Sequence, residues 1–310
     1  MRRPRERRTG RSGVVTTRVV LTGTGVPHVH GGCAGAGALV EVAGTGVGTG
    51  GEPAVALQFD AGRATVLRLA EAGVRPRDLA AVFVTHFHSD HVVGLPDLAL
   101  TRWIEGRIKE VAPLTVVAPE GKAARFVERM LDAYDDDIAV RRDHVGTGPV
   151  DLDRRTFPVS PEPIEVWASD DGRVRVRAVA VHHEPVDGAV AFRVDTPDGA
   201  VVISGDTRVC GEVEALSAGA DVVVHEACRT SAMAEQVAGT PLETIFDYHA
   251  DTVALGEMAA RAAIPHLVLT HLIPPAPTPE ARARFEADVR SGGYQGRLTV
   301  GHDLTTVVLG

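Results

Sequence analysis

Cysteine is nearly absent from the chain: Cys33, Cys210 and Cys228 are the full complement, odd in number and widely spaced. That excludes the disulfide framework that staples small secreted domains, so the three are expected as small core residues in a reducing compartment. Lysine is scarcer still, two against thirty arginines, a bias that a GC-rich genome explains without function. Aromatic residues make up only 4%, which leaves no evident platform for stacking bases. A broad basic face is also missing: the formal net charge is −9 and the basic cluster is confined to the N-terminus, so a nucleic acid has little electrostatic footing. No apolar run approaches the roughly 18 to 20 residues of a membrane span, and none of about 7 to 15 residues follows the N-terminal arginines as a signal peptide requires. A cytoplasmic chain without membrane association is expected. What is abundant is core: 44% of the 310 residues are hydrophobic, ample for one large folded unit.

The arginine-rich stretch 1–17 has almost no apolar residues and is expected to be a disordered basic tail, with the folded domain spanning 18–310. Short strands are expected at Arg18–Leu21, Ala38–Val42 and Val55–Phe59, the last two forming an antiparallel pair across a Gly-rich turn. Helical spacing through Val66, Leu67, Leu69 and Ala70 ends at Gly73. The apolar run Ala80–Val84 follows. A helix is expected from Gly94 to Glu105, a strand at Leu114–Val117, and a helix from Pro119 to Tyr134 with Asp135 to Asp137 as its solvated end. From Gly146 to Gly172 the chain is irregular, either a substrate-facing loop or a crossing between two halves of the domain. Strict alternation over Arg173–Val181, a hairpin at Pro197-Asp198-Gly199, apolar strands at Ala200–Ile203, Asp221–Val224 and His266–Leu269, and a helix over Asp251–Ala263 complete the pattern.

The chemistry concentrates in Thr85-His86-Phe87-His88-Ser89-Asp90-His91, directly after an apolar strand. In an extended segment alternate side chains share a face, so His86 and His88 point the same way, and a turn at Ser89 lets Asp90 and His91 address a second position. Imidazoles with a carboxylate suit a pair of borderline ions such as zinc. Later strands deliver His182-His183, Ser204-Gly205-Asp206-Thr207, His225-Glu226 and Thr270-His271. Strand ends that carry histidines and acids in this way converge on one surface of a layered sheet.

With those motifs in order, the chain resembles the metallo-β-lactamase superfamily, whose His-x-His-x-Asp-His signature is matched by His86, His88, Asp90 and His91. The resemblance implies an α/β fold, an αββα four-layer sandwich, from about Arg18 to Leu309. It implies one metal on His86, His88 and His183, a second on Asp90, His91 and His271, and Asp206 bridging. His182 rivals His183 as the third ligand. His183 is preferred because His183-Glu184-Pro185-Val186 followed by Phe192-Arg193-Val194 looks like the corresponding segment of relatives. Gly94-Leu95-Pro96, Ser204-Gly205-Asp206-Thr207, His225-Glu226-Ala227 and His249 are similar to the branch that holds transfer-RNA 3′-processing endonucleases (ribonuclease Z), arylsulfatases and phosphodiesterases. In that branch the counterpart of His249 acts near the scissile group, with Glu226 orienting it, and dimers are common. Asp90 is expected to orient the nucleophile and take its proton, and Asp60 and Glu226 to orient imidazoles. His225, His266 and His302 are expected to be core or surface histidines.

Two departures count against a nuclease: Val26–Gly32 replaces the branch's basic and asparagine-bearing loop, and no basic Gly-rich arm is present. The expectation is therefore a hydrolase with two zinc ions (manganese or iron as alternatives) acting on a small phosphodiester or sulfate ester, with a small-molecule partner rather than nucleic acid. A ribonuclease Z-like transfer-RNA endonuclease is the alternative, and a lactone or thioester hydrolase a further one.

Overall fold

The computed structural model describes residues 17–44, 54–107 and 110–309. The N-terminal basic stretch, apart from Thr17, and most of the Gly-rich turn after Val42 lie outside them. The first sheet is built from β1 (Thr17–Gly23), β2 (Gly37–Val42), β3 (Val55–Phe59), β4 (Leu79–Phe83), β5 (Leu114–Pro119) and β6 (Leu152–Phe157), in that spatial order. The second runs from β7 (Ile164–Ala168) through β8 (Arg175–Ala180), β9 (Val190–Thr196), β10 (Gly199–Ile203), β11 (Val222–Cys228) and β12 (His266–Ile273) to β13 (Arg297–Val300). The last strand, β14 (Thr306–Val308), returns to the first sheet beside β1.

Each sheet is antiparallel at one side and parallel at the other. β1 to β3 pair antiparallel and β3 to β6 parallel; β7 to β10 pair antiparallel and β10 to β13 parallel. Parallel neighbours need long crossovers, and these are the helices. On the first sheet they are α1 (Thr65–Glu71), the single turn α2 (Ser89–Val92), α3 (Leu95–Glu105), α4 (Lys122–Arg129) and α5 (Asp135–Val145). On the second they are α6 (Gly211–Leu216), α7 (Thr230–Val237), α8 (Thr252–Arg261) and α9 (Pro279–Ser291). The sheets face each other over a core that includes Val40, Leu57, Phe83, Val176, Phe192, Val201 and Val268. Each outer face packs on its own helices, through Leu69, Leu98 and Val127 on one side and Val213, Leu255 and Phe285 on the other. This is the expected four-layer αββα sandwich. Three phenylalanines meet at its centre, where Phe59 and Phe83 stack at 4.8 Å and Phe192 lies 5.5 Å from both.

Some elements differ from the sequence reading. Pro119 ends β5 instead of opening a helix; Gly121, at φ 98°, turns the chain before α4 starts at Lys122. Asp135 to Asp137 form the first turn of α5, where the helix dipole favours carboxylates. The 146–172 stretch is a crossing between sheets that leaves the first as β6 and enters the second as β7. Both are sheet-edge strands with mostly exposed or half-exposed residues, so alternation is faint. α9 gives no clear sequence signal for the same reason: only Phe285 and Val289 are buried. Of the cysteines only Cys228 is a core residue; Cys33 and Cys210 are half-exposed, and all three are free thiols. No helix among the described residues is long and apolar enough to cross a membrane.

Candidate metal centre

Parallel strands direct their C-terminal ends to one rim of a sheet, and open α/β sheets bind ligands outside those ends. Here β4 and β10 lead into His86–His91 and Asp206, while Glu226 and His271 lie within the last residues of β11 and β12. After β4 the chain stays extended through His88, and the His86 and His88 rings lie 4.7 Å apart. α2 then turns it sharply, bringing the Asp90 carbonyl against Gly62 and Gly35, where an added Cβ would sit 2.1 and 2.6 Å from that oxygen. Only glycine fits those two positions. In β12 the register against β11 slips at His271, which becomes an extra residue with φ 44°. Such a bulge re-aims one side chain without ending the strand.

Asp206 is the hub. Its carboxylate lies 3.9 Å from His86 Nε2, 3.3 Å from His91 Nε2, 3.8 Å from His183 Nε2 and 3.5 Å from His271 Nε2. Donor atoms of His86, His88, His183 and Asp206 lie within 4.8 Å of one another, and so do those of Asp90, His91 and His271. His183 Nε2 faces His88 Nδ1 at 3.2 Å. His182 stays outside, half-exposed between Glu184 and Glu212 at 3.4 and 3.2 Å.

Hydrogen bonds behind the rings determine which nitrogen faces inward. Asp60 Oδ1 accepts the Thr85 N–H at 2.8 Å, and Oδ2 accepts the Thr85 hydroxyl at 2.8 Å and His91 Nδ1 at 2.7 Å. With its proton given to Asp60, the Thr85 oxygen accepts from His86 Nδ1 at 3.0 Å. The Tyr248 carbonyl accepts from His183 Nδ1 at 3.1 Å. Each of these rings therefore turns Nε2 towards Asp206. His86 Nε2 and His91 Nε2 are buried and make no hydrogen bond, an arrangement that is costly unless something else occupies their lone pairs. Imidazole and carboxylate donors in two sets sharing one carboxylate fit two divalent ions.

Electrostatics follow from that crowding. Burial, and next the neighbouring His91, hold His86 well below the ordinary imidazole range. Burial opposes protonation of His91 too, but Asp206 and Asp60 on either side raise it well above that range. Asp206 stays well below the usual carboxylate range: burial opposes its charge, and His271 and His91 outweigh burial.

His249 flanks the cluster, its ring 5.7 Å from that of His271. Its Nδ1 lies 2.8 Å from Glu226 Oε1, which also accepts the Thr207 N–H at 2.8 Å. Burial lowers the His249 pKa, but Glu226, by charge and by hydrogen bond, carries it up to about 9. His249 lies just before α8, which begins after Asp251, close to the expected start; the Asp251 carboxylate caps it by accepting the Val253 and Ala254 N–H groups at 3.0 Å each. His225 is buried with Nδ1 donating to the Glu226 carbonyl, His266 bonds Thr299, and His302 is exposed. His28 and His30 are exposed along a cleft of about 390 Å³ that Asp303 also lines. Asp303 holds the Gly-rich loop in place, accepting from Thr24, Ala34 and Arg68. Sequence reasoning missed Asp303, Thr85 and the Tyr248 carbonyl. Thr85, next to His86, was within reach of it; the other two act from far along the chain.

Comparison with known proteins agrees with this architecture. The family model of the metallo-beta-lactamase superfamily matches residues 47–271. Ribonuclease Z of Mycobacterium sp. (strain KMS) is 36% identical over 93% of this chain and 95% of its own. Among solved structures, the metallo-beta-lactamase fold protein YhfI from Bacillus subtilis superposes with a TM-score of 0.67 at 16% identity, covering 94% of this chain and 99% of that one. The short form of human tRNase Z does so at 0.63 and 18%, with the same coverage. These relatives correct the expectation of a small-molecule ester as partner with nucleic acid disfavoured, since a protein this similar over nearly its whole length is named as a ribonuclease. The error was physical: net charge averages the whole surface, whereas a polyanion is met by a local patch. The chain belongs to the metallo-beta-lactamase superfamily, in its ribonuclease Z branch, and is a metal-dependent hydrolase acting on ester bonds.

Proposed function

We propose that the chain is a zinc-dependent endoribonuclease that cleaves a phosphodiester at the 3′ side of transfer-RNA precursors, in the cytoplasm. The observation that carries the substrate is the 36% identity to a ribonuclease Z, sustained over nearly all of both chains. His86, His88 and His183 would hold one ion and Asp90, His91 and His271 the other, with Asp206 between them; the imidazole-rich set suits zinc, and manganese or iron are the alternatives. Bound there, the ions supply a nucleophile at neutral pH and stabilise negative charge on the attacked phosphorus centre.

The chain's own residues do the rest. Asp60, directly for His91 and through Thr85 for His86, occupies Nδ1 of each ring and so orients both Nε2 atoms towards the place the ions would take. Asp90 Oδ2 lies 3.2 Å from His271 Nε2, which leaves its other oxygen to orient the nucleophile and take its proton. His249 is held at Nδ1 by Glu226, so Nε2 is the nitrogen available to protonate the leaving oxygen. Glu226 is a positioning residue, itself fixed by the Thr207 amide.

The test is cleavage of a precursor transfer RNA by zinc-loaded, metal-quantified protein. Wild type should cut near the 3′ end, and Asp206→Ala should lose both metal and cleavage. His249→Ala should keep its metal while kcat falls about 100-fold or more. A fully loaded wild type that leaves the precursor intact refutes the substrate; an unchanged rate in His249→Ala refutes the acid.

A further inference from the structure

Beside the metal centre, α4 presents two different sides. Ala123, Val127 and, just past its end, Met130 are buried, while Lys122, Arg125 and Arg129 are exposed. Positions 122, 125, 126 and 129 follow the i, i+3, i+4, i+7 spacing of one helix face, and Glu128 falls off that arc. With Phe87, Phe126 and Asp132 these three cations line a groove of about 480 Å³. The groove meets the donor segment at Phe87. Phe87 is the residue between His86 and His88, its ring is 5.7 Å from that of His88, and Lys122 Nζ lies 5.3 Å over its face. Arg129 pairs with Asp132 at 3.5 Å; among the described residues Lys122 and Arg125 make no ion pair. Both Phe87 and Phe126 keep part of their surface open.

We propose that this groove carries the unpaired RNA strand next to the scissile bond, an inference that rests on the ribonuclease reading. Lys122 and Arg125 neutralise backbone phosphates, and the Phe87 and Phe126 rings offer faces on which bases stack. Cations tracking a backbone beside aromatic faces are how single strands are held without sequence preference. Paired bases would have no free face to give the rings, so the strand is unpaired. The excess charge is local, which reconciles an RNA substrate with a chain of net charge −9.

The experiment measures kcat/KM for a precursor transfer RNA as a function of salt, on zinc-loaded protein. Lys122→Gln/Arg125→Gln keeps helix-forming side chains and removes both charges. It should raise KM about tenfold and make the slope of log(kcat/KM) against log[salt] shallower by about 1.4, two single-strand contacts at about 0.7 each. The charge-preserving Lys122→Arg/Arg125→Lys variant should keep most of the slope, and Glu128→Gln, off the groove, should leave it unchanged. Phe126→Leu should raise KM without altering the slope. If wild type cleaves the precursor and the double glutamine variant, folded by its melting temperature, retains KM and slope, the groove is overturned and the ribonuclease reading stands. If wild type does not cleave RNA at all, that reading fails and the groove fails with it.

Discussion

Asp60→Asn tests whether the hydrogen bonds behind the rings prepare the metal site. Asp60 has a left-handed backbone, φ 54°, a conformation asparagine tolerates, so the exchange adds little backbone strain. The Thr85 N–H cannot rotate away, so the asparagine oxygen must stay with it and the new NH2 must replace Oδ2. There it meets two former donors, the Thr85 hydroxyl and His91 Nδ1–H. The hydroxyl can turn, but His91 can accept at Nδ1 only by moving its proton to Nε2, the nitrogen facing Asp206. One charged hydrogen bond of about 1.5–3 kcal/mol is lost, and the ion held by His91 should bind about 10- to 100-fold more weakly. Competition with a chelator, followed by metal quantification, measures that affinity, and the melting temperature of the metal-free protein checks the fold. A variant that folds and holds two ions with wild-type affinity would refute the idea that Asp60 sets the His91 tautomer.

Two further outcomes follow from the same geometry. His183→Ala should retain less metal than wild type, whereas His182→Ala, which removes a half-exposed ring bound to Glu184 and Glu212, should retain all of it; equal metal content in the two variants would put His183 outside the ligand set. In the metal-free protein His249, raised to about 9 from 6.5, gives stability that is complete below about pH 6.5 and lost as pH rises through about 9. Melting temperature should therefore fall more steeply between pH 7 and 10 in wild type than in Glu226→Gln, and parallel curves would show that Glu226 does not hold that proton.

Residues that act within one segment are legible in the amino-acid order itself. His86, His88, Asp90 and His91 can be read there because a strand followed by a single turn places them by local geometry alone, and buried parallel strands can be read as continuous apolar runs; the αββα class comes from the family resemblance that those motifs carry. β6, β7 and α9 are not legible, because edge strands and polar helices bury too little for a periodic signal. Nor is the groove on α4, since its charges are few and only contact with Phe87 brings them to the metal centre.

Taken alone, the sequence determined which residue types could meet a metal and that they stand at the ends of apolar strands. Only the tertiary structure decided that His183 rather than His182 faces Asp206, that Asp60 serves two histidines at once, and that Glu226 holds His249. Those pairings join residues far apart in the chain, at distances set by how two sheets pack and by the bulge at His271. No local propensity encodes them.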